Sequence, residues 1–272
     1  MKPAAFSYER ATSLEHALQW LNEHPESKVL AGGQSLIPLM NFRLSRPQEL
    51  LDINGVEQLS YVEQTATALR LGGLIRHQQL HENKTVQAAF PVLAEAAGEV
   101  GHWAIRNRGT LGGSLVHADP ASELPAVMVA LQATFLLTSV DGVREVPAQD
   151  FYLGFLTTDI QANEIFMGVE IPLKPEVSYG FKEFARRPGD FALAGAIVEL
   201  HSDAFGAVTW FGVSGAPVRE EMSFASEAED RRAAFAEIIE TMDLMDEGPY
   251  RKQLALSVAE QAYLRAAGRD TL

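Results

Sequence analysis

The residue pattern predicts an α+β chain in two parts, and three features carry that expectation. Over the first two thirds, short strand-like runs alternate with helical ones. Two glycine turns, Ala31-Gly32-Gly33-Gln34-Ser35 and Arg108-Gly109-Thr110-Leu111-Gly112-Gly113-Ser114, interrupt that alternation. Pro172-Leu173-Lys174-Pro175 then disfavours continuation of either helix or sheet, so a junction falls there. With 272 residues, 47% apolar and 21% charged, the chain can bury a core as one large or two moderate domains.

Taken in order, Thr12 and Glu15 make a capping box for a helix over 13–23, with Leu14, Ala17, Leu18 and Leu21 at helical spacing. Residues 28–31 read as a strand delivering the first glycine turn, 36–44 as a short helix with Pro38 near its start, and 50–53 as a second strand. This opening is a small β-α-β-like unit. From 61 to 75, two strand-like runs flank 64–67 as a hairpin. Residues 77–84 and 87–100 read as helices leading to the second glycine turn, 122–132 as a helix, 134–140 as a strand closed by Asp141-Gly142, and 165–171 as the last strand before the prolines. Beyond the junction, 179–185, 192–201 and 207–214 read as three strands, the last two joined by a tight turn around 203–206. Residues 229–245 and 249–267 read as helices.

Composition removes several functions. Asp and Glu outnumber Lys and Arg by 36 to 22, a formal charge of −14, and no basic face is concentrated enough for nucleic acid. The absence of cysteine excludes disulfides, zinc–thiolate sites, iron–sulfur ligation by this chain and a cysteine nucleophile. Redox chemistry here therefore requires an organic cofactor. The first ten residues lack an apolar signal core and no run is long enough to span a membrane, which makes a cytoplasmic location the default expectation.

A glycine pair flanked by hydroxyl residues lets backbone approach a ligand and aim N–H groups at one point, as a phosphate requires. Alone, either pair reads as an ordinary turn; two of the same design suit a pyrophosphate gripped from both sides. Neither fits the spaced glycines of the Rossmann fingerprint or the lysine-bearing P-loop. His77 and His81 stand four apart on a helix, but no third metal ligand is visible, and solvated helix histidines are the better reading. Ser35 lacks the second glycine of a nucleophile elbow, and Ser114, His117 and Asp119 lack triad geometry, so they read as lining or turn residues. Glu123 reads either as a favourable charge at a helix N-terminus or as an acceptor for a ribose diol. Lys182 reads as an outward-facing strand position, and Arg186-Arg187-Pro188-Gly189-Asp190 as a solvated turn.

Read together, Ala31-Gly32-Gly33-Gln34-Ser35-Leu36, the run from Ile105 through Ser114, His117 to Glu123, and Arg186-Arg187-Pro188-Gly189-Asp190-Phe191-Ala192 resemble the FAD-binding medium subunit of molybdenum hydroxylases. That family includes xanthine dehydrogenase, aerobic carbon monoxide dehydrogenase and the bacterial heterocycle dehydrogenases, and the resemblance covers essentially the whole chain. It implies a vanillyl-alcohol-oxidase-type FAD-binding domain over 1–175, with subdomains at about 1–56 and 57–175. A carbon monoxide dehydrogenase flavoprotein-like domain of three strands plus helices is implied over 176–272. By motif match, Leu30, Ala31, Gly32, Gly33, Gln34, Ser35, Leu36 and Ile37 wrap the diphosphate, and Thr110, Gly112, Gly113 and Ser114 approach it from the other subdomain. Glu123 takes the acidic position near the ribose, Phe166 an apolar position near the adenine, Lys182 a position on the flavin side, Ile105 a packing position near the cofactor, and the 186–191 loop a place beside the flavin ring. Ser114 departs from the asparagine of many relatives.

The resemblance further implies an oxidoreductase subunit that relays electrons, with no catalytic acid or base and no metal ligand in this chain. A small partner subunit carries two [2Fe-2S] clusters, a large one carries the molybdenum cofactor and hydroxylates the substrate, and FAD passes electrons to an external acceptor. The assembly implied is a heterotrimer or a dimer of heterotrimers. Two rival readings are a stand-alone FAD oxidoreductase and a non-catalytic scaffold without flavin. The substrate and the acceptor are not encoded in this chain's pattern.

Overall fold

A computed structural model describes residues 1–202, 204–246 and 248–269. Strands β1 (Ser7–Arg10), β2 (Lys28–Leu30) and β3 (Glu49–Asp52) form a parallel sheet in the order β1-β3-β2, joined by helices α1 (Leu14–Glu23) and α2 (Leu36–Asn41). Ser13, not Thr12, caps α1 by accepting from the His16 amide; Thr12 instead meets the His16 ring. β1 escapes the sequence pattern because its run Ser-Tyr-Glu-Arg is polar and edge-lying, exposed at three of four positions. Leu18, Leu21, Leu51, Ile53 and Leu59 form this unit's core, which Leu74 and Ile165 complete from later in the chain.

A second sheet is antiparallel, in the order β4 (Val62–Gln64), β5 (Ala68–Gly72), β10 (Ile165–Pro172), β6 (Thr134–Ser139), β7 (Gly142–Pro147). Between β5 and β6 lie α3 (His77–Glu82), α4 (Lys84–Ala89), α5 (Pro91–Glu99), α6 (Trp103–Arg106), α7 (Leu111–His117) and α8 (Glu123–Ala130). The two helices expected over 77–100 are three. Asn83 ends one and caps the next through its side chain, and Pro91 starts the third at a first-turn position where its missing N–H costs nothing. After β7 come a short helix α9 (Ala148–Phe151) and a hairpin of β8 (Tyr152–Gly154) and β9 (Thr157–Thr158), none of which has a periodic signature.

The last sheet is a four-stranded antiparallel meander, not the expected three: β11 (Ser178–Phe184), β12 (Ala194–Leu200), β13 (Phe205–Phe211) and β14 (Val218–Ser223). β14, Val-Arg-Glu-Glu-Met-Ser, is a polar edge strand without the apolar run that marks its neighbours. The turn expected over 203–206 falls partly on residue 203, outside the described residues, and Gly206 belongs to β13. Both faces of β12 are covered. Ala194, Ala196 and Val198 pack under α11 (Pro249–Ala266), while Ile197 joins the central core with Phe181, Ala192 and Phe211. α8, buried at all eight positions, fills the space between α5 and this sheet. No helix of the described residues is long and apolar enough to cross a membrane.

On the other side of the sheet, α10 (Ala228–Thr241) packs on α11 through Arg231. That side chain, 2% exposed, makes a two-pronged ion pair with Glu260, donates to the Ala225 carbonyl at 2.7 Å and lies 3.9 Å over the Tyr263 ring. Removing it strands the Glu260 carboxylate, so Arg231→Ala is expected to cost about 3–5 kcal/mol in urea unfolding. A shift below about 1 kcal/mol would show the pair to be dispensable.

Candidate functional site

The first glycine turn is anchored from behind. Asn54, just past β3, donates its side-chain amide to the Ala31 carbonyl at 2.7 Å and to Asp52 Oδ1 at 2.6 Å. The backbone then takes φ +73° at Gly33, a left-handed conformation open to glycine without steric cost. Ser35 stands at the N-cap of α2 in helical conformation, its hydroxyl making no cap bond. Among the described residues, the amides of Gly33, Gln34, Ser35 and Leu36 meet no acceptor. Four successive N–H donors are therefore open to an anion.

The second turn works differently. Leu111 N–H donates to the Ile75 carbonyl and Gly112 N–H to the Gly73 carbonyl, both at 2.8 Å, and Gly113 N–H donates to Thr110 Oγ1 at 3.1 Å. The second amide cradle expected from the sequence is thereby corrected. The amides that open α7 tie the helix to the backbone after β5, and the Thr110 and Ser114 hydroxyls carry the remaining donor capacity. Ser114 bonds to the ring of His77, not His117, and Asp119 accepts from the Ala121 amide, so these three form no triad.

The two turns touch. A Cβ on Gly32 would overlap the Arg108 carbonyl oxygen and fall 2.8 Å from Gly109 Cα, so the two backbones abut. Arg76 spans the contact, its guanidinium donating to the Arg108 carbonyl on one side and to Asn54 Oδ1 at 2.8 Å on the other. On the first segment the open donors begin one residue past this junction. Phe166, 6% exposed, backs Gly112 with its ring edge and packs against Phe135 and Phe151. Leu30 and Ile37 close over Gly33, within 3.3 Å and 3.2 Å of where its Cβ would stand.

A second group gathers at the other end. Ile105, on α6, rests on Gly101, and the 186–191 loop lays Gly189 on the same segment, where a Cβ would fall 2.9 Å from the Gly101 carbonyl. Lys182 is half-buried, not outward-facing as expected, and lines a cleft of about 290 Å³ with Glu95, Glu99, Glu183, Arg186 and Arg187. Glu123 opens α8 and is 4% exposed. Burial, then the neighbouring Glu183, with Glu99 and Asp119 adding, pushes its carboxyl up to about 8. Burial thus outweighs the helix dipole, which corrects the reading of Glu123 as a favourable charge. Glu183 is raised to about 7 by its own burial and by Glu99, against Lys182, and its Oε2 is buried without a partner.

Sequence reasoning missed Asn54 and Arg76 and misread the histidines. His77 is buried, with Nε2 2.9 Å from the Thr110 carbonyl; His81 is half-buried, with Nδ1 2.9 Å from the Ala94 carbonyl. The available signal was a third glycine pair, Gly72-Gly73, just ahead of Arg76 and His77.

Folding takes up a proton at Glu123, because its carboxyl holds that proton far above the ordinary range. That stability is complete at acid pH and is lost as pH rises toward about 8. The melting temperature of Glu123→Gln relative to wild type should therefore climb between pH 5 and about 8.5 in scanning calorimetry of the ligand-free chain. A pH-independent difference would place the carboxyl in the ordinary range.

The sequence pattern described as "FAD binding domain in molybdopterin dehydrogenase" matches residues 4–174. The 6-hydroxypseudooxynicotine dehydrogenase complex subunit alpha of Paenarthrobacter nicotinovorans is 44% identical over 72% of this chain and 67% of its own. The carbon monoxide dehydrogenase medium chain of Afipia carboxidovorans is 30% identical over 99% of both chains. Among solved structures, quinoline 2-oxidoreductase from Pseudomonas putida 86 superposes with a TM-score of 0.91 at 34% identity, covering 99% of each chain.

Proposed function

The chain belongs to the family of FAD-binding domains in molybdopterin dehydrogenases, and from that premise we propose that it is the FAD-carrying medium subunit of a heteromeric molybdenum hydroxylase. In that role it relays electrons from the [2Fe-2S] clusters of a small partner subunit to an external acceptor, while a large subunit bearing the molybdenum cofactor hydroxylates the substrate. The relatives' names, a complex subunit and a medium chain, support such an assembly. With no cysteine in 272 residues, cluster ligation falls to a partner chain.

The observation that carries FAD binding is the abutment at Gly32 and Gly109, with open amides following on one segment and the half-buried Ser114 hydroxyl on the other. This donor set fits a diphosphate, whose two groups need donors from both sides. FAD, when bound, supplies a redox centre that takes electrons singly and gives them up in pairs.

The chain's own task is to hold and orient. Gly33 to Leu36 offer N–H donors and Ser35 a hydroxyl to one phosphate, Thr110 and Ser114 hydroxyls serve the other, and Gly112 and Gly113 keep that side low. Leu30, Ala31 and Ile37 wall the turn. The Glu123 carboxyl accepts from a ribose diol, Phe166 forms the apolar wall toward the adenine, and Lys182 and Ile105 face the flavin end with the 186–191 loop. We read the layout as vanillyl-alcohol-oxidase-type, with residues 1–56 and 57–175 as the two cofactor-holding subdomains and 176–272 as the C-terminal domain. Separate sheets, and an apolar cluster centred on α1 and β3 distinct from the central one, support that division.

The test is direct. The purified chain should show a flavin spectrum, with the released cofactor identified as FAD by chromatography, and a tagged chain should co-purify with iron–sulfur and molybdenum subunits. Gly33→Val forces a β-branched residue to positive φ and should cut flavin content at least tenfold, about 1.4 kcal/mol or more, with unchanged far-ultraviolet circular dichroism. Wild-type flavin content in that soluble variant would contradict the site.

A further inference from the structure

Ser114 is the residue that directly follows the Gly112-Gly113 pair, and what its hydroxyl does depends on a histidine 37 positions upstream. His77 Nε2 lies 2.9 Å from the Thr110 carbonyl oxygen and 3.0 Å from Ser114 Oγ. A carbonyl only accepts, so Nε2 carries a hydrogen. The opposite nitrogen, Nδ1, is buried with no partner. It lies against Gly109, where a Cβ would fall 2.8 Å from it, so a hydrogen there would have no acceptor. The ring is therefore the neutral tautomer protonated at Nε2, in keeping with burial pushing its pKa down to about 4.

This tautomer decides the direction of the Ser114 hydroxyl. A helical serine ordinarily turns its proton back onto the carbonyl four residues earlier, here that of Thr110. That carbonyl already accepts from the Ser114 amide at 3.1 Å and from His77 Nε2 at 2.9 Å, so both of its lone-pair directions are taken. The Nε2–H is shared with Ser114 Oγ, which makes Oγ an acceptor toward His77 and leaves its proton pointing away from the helix. We propose that His77 is a positioning residue of the FAD site: its Nε2–H blocks the inward bond of Ser114 and thereby presents the Ser114 hydroxyl as a donor to the cofactor's diphosphate. This rests on the FAD reading above. Gly109 has a part in it, since only a residue without a side chain lets the imidazole lie flat against the turn.

The test uses the full chain, stripped of flavin and titrated with FAD by fluorescence, together with nitrogen-15 spectra of the His77 ring. His77→Phe keeps a planar ring but no N–H, and should weaken FAD binding about 10- to 100-fold, the range of one hydrogen bond to a charged group. Ser114→Ala should lose a similar amount. The double variant should lose no more than either single one, because both remove the same donor. His77→Gln, whose side-chain amide restores a donor, should recover most of the affinity. Losses that add in the double variant, or unchanged affinity in His77→Phe, would overturn the role of His77.

If His77→Phe does not fold, the wild-type spectra still decide. They should show Nε2 protonated and Nδ1 bare at pH 7, and a ring protonated at Nδ1 would overturn the proposal. A wild-type chain that takes up no FAD overturns the FAD reading itself, whereas a wild-type chain that binds FAD together with a His77→Phe variant that binds it equally well overturns only this inference.

Discussion

The site depends on one contact between two stretches of backbone, Gly32 on one and Arg108-Gly109 on the other. Neither segment can reach it alone. β2 and β3 bring Gly32 up from the parallel sheet, while α6 and the turn before α7 bring Gly109 from the helices that cover the antiparallel one. Arg76 makes the contact durable, because its guanidinium bonds the Arg108 carbonyl and, through Asn54, the carbonyl of Ala31. Charge-assisted bonds to carbonyls are stronger than neutral ones, and this one crosses the seam between the two units. Burial and the nearby Arg108 lower the pKa of Arg76, yet a guanidinium stays charged throughout the physiological range.

Around that seam the two turns divide, in the proposed diphosphate site, the work of meeting an anion. One offers main-chain donors that any residue could supply, so its chemistry is set by backbone shape at Gly33. The other has spent its main-chain donors on Ile75, Gly73 and Thr110, and so depends on which side chains stand at Thr110 and Ser114. A glycine pair looks the same in both, but the hydrogen-bond ledger behind it differs.

This difference marks the limit of what the residues revealed by themselves. The two turns, the strand leading to the first and the buried apolar helix at Glu123 were legible, because apolar periodicity and turn residues are local signals. What stayed hidden was set by distant partners. β14 and β1 are edge strands whose polar runs need neighbours to become sheet, and β7 follows its turn pair with only Val143, Val146 and Pro147 to mark it. His77 looked like one of two histidines on a wet helix face, since nothing local announced that residues 33 positions ahead would cover it. Glu123 looked like a helix-capping charge, because its burial and its neighbour Glu183 come from other elements.

The central core is shared across the proline junction, and this bears on how the chain comes off the ribosome. Phe181, Ala192, Ile197 and Phe211 complete the same apolar cluster as α5 and α8. When residues up to Pro175 have emerged, α8, apolar at every position after Glu123, has α5 on one side and no sheet on the other. It acquires that cover only after β12 and β13 are synthesised, some 35 residues or a few seconds later at ordinary elongation rates of about 5–20 residues per second. During that interval the nascent chain displays a sticky helix, which makes the order of synthesis, and any chaperone that shields it, part of what the finished fold requires.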